Sequence, residues 1–159
     1  FSRLVSWLDI YRREYEAHRD DPNRPNAHVA EPNYGFQVHT YVAESDVQAR
    51  QEGREGYKTF FANFTRRFVE QGQPDKYREL GDFDALVDSG KMLVGSPATV
   101  RELLGRYLAE SGANYFLGSF AWGSLSHRQI MTSLDLFARE VMPALAEPLV
   151  FSPSGRGLG

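Results

Sequence analysis

The chain has 159 residues, of which 42% are hydrophobic and 25% are charged, and its formal net charge is −3. This is the composition of a globular domain, and it contains no basic cluster of the kind that nucleic-acid binding needs. The sequence has no run of about 18 apolar residues, so no membrane partner is expected. The absence of cysteine excludes disulfides and thiolate chemistry. Charges from Arg3 onward leave no signal-peptide pattern, so we expect a cytoplasmic location.

The first two elements are a helix and a strand with a polar loop between them. Apolar residues recur at helical spacing from Leu4 to Tyr15, which predicts an amphipathic helix over about residues 2–18. The run from Asp20 to Asn26 contains two prolines and ends this helix. Residues 35–43 are rich in β-branched and aromatic residues and predict a strand. Alternation along it puts three residues on one face, Gln37, His39 and Tyr41, and four on the other, Phe36, Val38, Thr40 and Val42.

A second helix follows this strand. Ser45 or Asp46 is suited to cap its first turn, because a side-chain oxygen there accepts from free backbone N–H groups. Residues 71–92 are punctuated by glycine and proline, and we expect a mobile segment with a short helix near residues 83–87. The second helix itself carries an aromatic stripe that is typical of a core-facing surface: Tyr57, Phe60, Phe61, Phe64 and Phe68.

Regular structure resumes at residue 95. Ser96 is a suitable N-cap, Pro97 a suitable first helical residue and Gly112 a suitable terminator, so these positions bound a third helix. Residues 114–118 then predict a short strand of the type that is buried on both faces of a parallel sheet. A last helix follows from about residue 130 until prolines disturb and end it, and the tail over residues 151–159 is predicted to be flexible.

Strands that alternate with helices in this way predict βαβ units and a parallel sheet. Two strands alone do not form a stable sheet of that kind. We therefore expect further strands from outside this sequence, and a chain that opens with Phe1 agrees with that expectation.

Several segments resemble the luciferase-like flavin monooxygenases, the family of bacterial luciferase. Residues 41–46 resemble the family's penultimate strand and its turn. The family's C-terminal segment is similar to three parts of this chain: residues 94–97, the strand 115–118 and above all Ser133–Pro143. The resemblance implies an α/β fold that is the C-terminal portion of a (β/α)8 TIM barrel, incomplete in this chain and occupying residues 1–150.

The same resemblance implies an activity. Reduced FMN, delivered by a separate flavin reductase, would react with O₂, and one oxygen atom would be inserted into a small organic substrate; the full-length protein would be a dimer. The family's principal flavin-phosphate and catalytic positions lie upstream of the matching segments, so no catalytic residue is assigned, and this chain alone is expected to be inactive. Two alternatives stay open: a deazaflavin-dependent oxidoreductase of the same superfamily, and a non-catalytic partner subunit of the same fold.

Candidate site residues follow from where barrel enzymes place their ligands, at the carboxyl ends of the strands. His39, Ser119 and Trp122 are candidate cofactor contacts, and Phe120 is a candidate substrate contact. The alternatives are a hydrogen-bonded structural histidine and loop aromatics that cover the end of the barrel. The four histidines are scattered without metal-ligand spacing, so no metal is expected.

Overall fold

Three strands and six α-helices make up the structure, a computed structural model that describes residues 2–25, 28–29 and 31–146. The predicted flexible tail lies outside these residues. A 3-10 turn spans Arg78–Leu80 and a π-helical segment spans Phe137–Val141. The strands are β1 (Gly35–Val42), β2 (Leu93–Gly95) and β3 (Tyr115–Ser119). The helices are α1 (Ser2–Ala17), α2 (Asp46–Glu70), α3 (Phe83–Asp88), α4 (Pro97–Ser111), α5 (His127–Leu136) and α6 (Met142–Ala146).

The three strands form one parallel sheet with β1 in the centre, in the order β2-β1-β3. Each half of β1 has its own neighbour. Its first half pairs with β3, from Gly35 opposite Tyr115 to His39 opposite Ser119, and its last three residues pair with β2, ending with Val42 opposite Gly95. The predicted parallel sheet is therefore confirmed, whereas the short strand β2 is an element that the sequence patterns did not predict.

Alternate side chains of β1 enter two different cores, one on each face of the sheet. Tyr41 points into a core formed with α2 and α3, which we call the α2-side core; Val42 points into a second core formed with α4 and the π-helical segment, the α4-side core. The α2-side core contains Tyr41, Ala43, Ala49, Tyr57, Phe83, Leu86, Val87, Met92, Val94 and Trp122. The α4-side core contains Val42, Leu93, Val100, Leu104, Tyr107, Phe120, Phe137 and Val141.

These two cores overturn the prediction of a portion of a (β/α)8 barrel. A barrel places its helices in a ring outside the strands, whereas here helices cover both faces of the sheet. In addition, β1 lies between the two later strands rather than before them in spatial order. The physical reason for this difference is the aromatic stripe of α2. It packs over the face of β1 that carries His39 and Tyr41, the face that could have lined a barrel. The fold is a small three-stranded parallel α/β domain.

β3 also differs from its prediction as a strand buried on both faces. It is an edge strand of the described sheet, and Tyr115 and Leu117 are 48% and 50% exposed on one face. Its other face contributes Phe116, which packs against the α4-side core. The predicted mobility of residues 71–92 receives no support at its C-terminal end, because α3 and Met92 are part of the α2-side core.

The helix starts agree with the capping signals in the sequence. The hydroxyl of Ser45 accepts from the N–H of Gln48, and the hydroxyl of Ser96 accepts from the N–H of Thr99. The carboxylate of Asp46 joins the two helix starts, because it accepts from the backbone N–H of Ser96 at 2.6 Å and from the hydroxyl of Thr99 at 3.0 Å. These hydrogen bonds hold the pKa of Asp46 below its ordinary value.

The last helical stretch changes its winding just before a proline. In the π-helical segment the N–H of Met142 donates to the carbonyl of Phe137, five residues back. Pro143 has no N–H to donate and its ring crowds the preceding turn, so a wider turn immediately ahead of it accommodates both defects. None of the helices in the described ranges has the length and apolarity that crossing a bilayer requires.

Candidate functional site

A polar crevice lies at the carboxyl end of β1. In open parallel α/β sheets, ligands bind where the helices that follow neighbouring strands diverge to opposite faces. Here α2 follows β1 and α5 follows β3, and the space between their first turns has a volume of about 390 Å³. We call it the carboxyl-end crevice. Its polar lining side chains are Tyr41, Glu44, Gln48, Glu52, Arg128, Gln129 and Thr132.

Glu52 is the centre of the hydrogen bonding in this crevice. The hydroxyl of Tyr41 donates to Oε2 of Glu52, and the amide of Gln48 donates to Oε1 at 3.1 Å. Burial acts to raise the pKa of Glu52, but hydrogen bonds from Tyr41, Gln48 and Gln129 outweigh it, and the net pKa is lowered. Burial and the bond to Glu52 together raise the pKa of Tyr41. At neutral pH, Glu52 is therefore ionised and Tyr41 is a protonated phenol.

The opposite wall of the crevice is the first turn of α5. Ser126 and Gln129 form a capping box there: the hydroxyl of Ser126 accepts from the N–H of Gln129, and the side-chain oxygen of Gln129 accepts from the N–H of Ser126 at 2.9 Å. This pair fixes the helix start and with it the position of Arg128. Arg128 is exposed and makes no ion pair with any residue in the described part of the chain.

Two side chains take the place of a strand beside the carboxyl half of β1. β3 ends opposite His39, so the carbonyl of Thr40 and the N–H of Val42, which point to that side, have no strand to bond. The hydroxyl oxygen of Ser133 accepts from the N–H of Val42 at 2.7 Å, and the indole N–H of Trp122 donates to the carbonyl of Thr40 at 3.4 Å. Both bonds are buried, and they keep β1 extended up to the crevice.

The structure brings together the three residues that were predicted to contact a cofactor. His39 and Ser119 are paired across β1 and β3, and the ring of Trp122 lies 5.9 Å from that of His39, centroid to centroid. The other side of the imidazole faces Phe60 at 4.7 Å, and burial lowers the pKa of His39. The indole is thus part of the α2-side core and the half-buried imidazole packs against it, and their contact with a cofactor stays a prediction.

Phe120, the predicted substrate contact, lies on the other face of the sheet. Its ring is 5.1 Å from that of Phe137, and it lines an apolar groove of about 860 Å³ between β3, α4 and α6. Aromatic rings in this groove suit the ring system of a flavin, but no Lys, Arg or His of the described chain lines it to match a phosphate. The groove therefore fits one half of FMN and not the other.

Sequence reasoning assigned none of the residues that line the crevice to a site. Tyr41 shared the face of His39 in the predicted strand and was an available signal. Arg128 follows Ser126, the N-cap of α5, by two positions, and a serine ahead of an amphipathic helix is also a local signal. The partnership of Tyr41 with Glu52 and that of Val42 with Ser133, which is 91 residues distant, depend on tertiary packing, and no spacing in the sequence indicates them.

Comparison with known proteins gives a fold and no family. No protein-family model matches the chain, and no curated protein matches its sequence. The chain is similar in structure to a monooxygenase, RslO1, from Streptomyces bottropensis, with a TM-score of 0.63 and 22% sequence identity over 89% of this chain. It spans 38% of the length of that protein. At this identity the likeness is one of fold, and it shows that this α/β arrangement also occurs within a longer chain.

Proposed function

We propose that the protein acts as a flavin-dependent monooxygenase and that the carboxyl-end crevice receives its organic substrate. The observation that carries the proposal is the pairing of an ionised Glu52 with a protonated Tyr41 at the carboxyl end of a parallel sheet, where α/β enzymes bind small molecules. Similarity in fold to a solved monooxygenase supports the choice of reaction class. The substrates in this proposal are a small organic molecule and O₂.

The residues of the chain have distinct tasks in this proposal. Glu52 accepts a hydrogen bond from the buried hydroxyl of Tyr41, which holds its carboxylate on the α2 wall for contact with a substrate. Arg128 supplies a cation on the opposite wall. Trp122 and Ser133 act as positioning residues, because they hold the strand that carries Tyr41.

Reduced FMN, when bound, supplies the electrons that activate O₂ for transfer of one oxygen atom. A separate flavin reductase supplies it in this proposal, and His39, Ser119 and Trp122 are its proposed neighbours. Because the apolar groove beside Phe120 provides aromatic surface without a cation for the phosphate, no phosphate site is assigned there. A deazaflavin is the alternative cofactor.

One observation favours a second candidate, a non-catalytic partner subunit. The apolar groove lacks a cationic side chain among the residues described, as a subunit that has no flavin to bind would. The two candidates differ in one measurable property, since the partner subunit binds no flavin in any form of the protein.

The test is a fluorescence titration with oxidised FMN, reduced FMN and a deazaflavin. It is run side by side on this chain and on the longest natural reading frame that contains it. The monooxygenase proposal expects saturable flavin binding by the longer form and little by this chain. Binding of no flavin by either form would overturn it in favour of the partner subunit, and binding of the deazaflavin alone would change the cofactor. Gel filtration of the longer form tests the expected dimer in the same preparation.

A further inference from the structure

The carboxyl-end crevice is lined by two carboxylates, Glu44 and Glu52, and by one cation, Arg128, and no ion pair joins Arg128 to either carboxylate. Glu52 lies on the α2 wall and Arg128 on the α5 wall of the same space. Each has the reach of a long side chain, yet they form no ion pair, because Glu52 is held on its own wall by Tyr41 and Gln48. A small molecule that carries both charges and fits between the two walls would satisfy both side chains at once.

We infer that this crevice binds the zwitterionic head group of an α-amino acid, with the carboxylate at Arg128 and the ammonium at Glu52. The inference names a substrate class for the proposed monooxygenase and rests on that proposal for catalysis, but not for binding. Arg128 forms no ion pair with the residues that the structure describes, and a carboxylate is the partner that the fork of N–H donors on its guanidinium matches.

Hydrogen-bonding capacity in the crevice agrees with this orientation. An ammonium group has three donors and no acceptor. Glu52 is an acceptor, and the hydrogen bond from the buried hydroxyl of Tyr41 holds its carboxylate on the α2 wall. On the other wall, Thr132 adds a hydroxyl donor beside Arg128. A hydroxy acid would use the same carboxylate contact, but its neutral hydroxyl would gain less from an ionised Glu52 than an ammonium does.

The size of the crevice limits the ligand. Its volume of about 390 Å³ is near the lower end of the roughly 300–1,000 Å³ that ligand sites occupy. A head group with a short side chain fits, whereas a complete dinucleotide does not. Because Arg128 is exposed, water weakens its attraction to the carboxylate, and we expect binding that is selective but not tight.

The experiment compares three small molecules of similar size by isothermal titration calorimetry and by NMR chemical-shift mapping. L-alanine carries both charges, L-lactate carries the carboxylate with a hydroxyl, and isopropylamine carries the ammonium alone. We expect L-alanine to bind at least about fivefold more tightly than either of the others, since each lacks one charge-assisted contact. Equal affinities for the three, or no binding of L-alanine, would overturn the inference.

Matched variants test the two walls separately. Arg128→Gln and Glu52→Gln should each lower the affinity for L-alanine at least about fivefold. The control variants Arg101→Gln on α4 and Glu55→Gln on α2 each remove a charge of the same sign outside the crevice. They should leave the affinity for L-alanine unchanged. If Glu52→Gln does not fold, as thermal melting will show, the exposed Arg128 still decides the question. An Arg128→Gln affinity equal to that of Arg101→Gln contradicts the inference.

This experiment separates the inference from the proposed function. L-alanine binding in a protein whose longest form binds no flavin would sustain the inference and remove the monooxygenase proposal. Flavin binding without L-alanine binding would do the reverse.

Discussion

Replacing Ser133 by alanine tests the idea that side chains take the place of a strand beside β1. Ser133 is 0% exposed, and its hydroxyl oxygen receives the N–H of Val42 at 2.7 Å. The substitution removes that oxygen and leaves the N–H facing the methyl group of alanine. β3 has already ended opposite His39, so in the described chain no backbone carbonyl is paired with this N–H in its stead.

The expected loss follows from the burial of the orphaned donor. A buried N–H without a partner costs about 1–3 kcal/mol. Alanine returns up to about 0.5 kcal/mol, because it favours the helix more than serine does. The net destabilisation is then about 0.5–3 kcal/mol, which in a chain of this size lowers the melting temperature by about 1–12 °C.

Thermal and urea unfolding followed by circular dichroism measures this difference. Ser124→Ala is the matched control, because Ser124 is exposed and its hydrogen bonds to Thr59 and to the carbonyl of Glu55 are replaced by water. The control should stay within about 0.5 kcal/mol of the wild type. If Ser133→Ala unfolds at the same urea concentration as Ser124→Ala, the N–H of Val42 is not orphaned and the reasoning fails.

Three further predictions concern backbone strain and titration. Both Gly123 and Gly72 have positive φ, but only at Gly123 would an added Cβ strike the backbone of α2. Gly72→Ala should therefore cost roughly 1–2 kcal/mol in thermal melts, and Gly123→Ala should destabilise the protein by well over that amount. Equal losses of stability in the two variants would contradict this. The pKa of Asp46 is lowered chiefly by the N–H of Ser96. The ionised carboxylate therefore contributes to folding stability above the ordinary carboxyl pKa of about 4, and this contribution is lost as the pH falls through the pKa of Asp46 in the folded protein. Urea titrations across that range should show the stability of Asp46→Asn falling less steeply than that of the wild type. Burial lowers the pKa of His39, so its imidazole NMR signals should titrate below 6.5, and a midpoint at or above that value would show the ring to be open to water.

The sequence predicted those elements whose signals are local. The bounds of α1, β1 and α4 agree with hydrophobic periodicity, β-propensity and caps such as Ser96, because these act within a few residues. The left-handed conformation of Gly112 at the end of α4 is of the same kind. All of these features depend on residues that are close together in the sequence.

The predictions that were wrong depend on which helix packs against each face of the sheet. The alternation of His39 and Val42 across β1 was read correctly, but whether the His39 face lines a cavity or meets another helix is decided by α2. β2 has only three residues and too little pattern to be distinguished from a loop. The barrel was inferred from the resemblance of several short sequence segments to a known family. Short segments do not determine the spatial order of the strands.

The candidate site shows the same division. Tyr41 was assigned to the face on which the structure has it, because alternation in a strand is a local property. Glu52 and Ser133 became visible only through the contacts that they make with β1, and the crevice depends on the approach of two helices that follow different strands. Its chemistry is therefore a property of the sheet order.

The two tryptophans of the chain lie in opposite surroundings, and this provides an optical probe. Trp7 is 62% exposed on α1, whereas the indole of Trp122 is buried against Tyr41 and bonded to β1 beneath the crevice. A Trp7→Phe protein would therefore emit from a single indole whose spectrum depends on the integrity of one wall of the crevice. A red shift of that emission would report the loosening of this region before the rest of the chain unfolds.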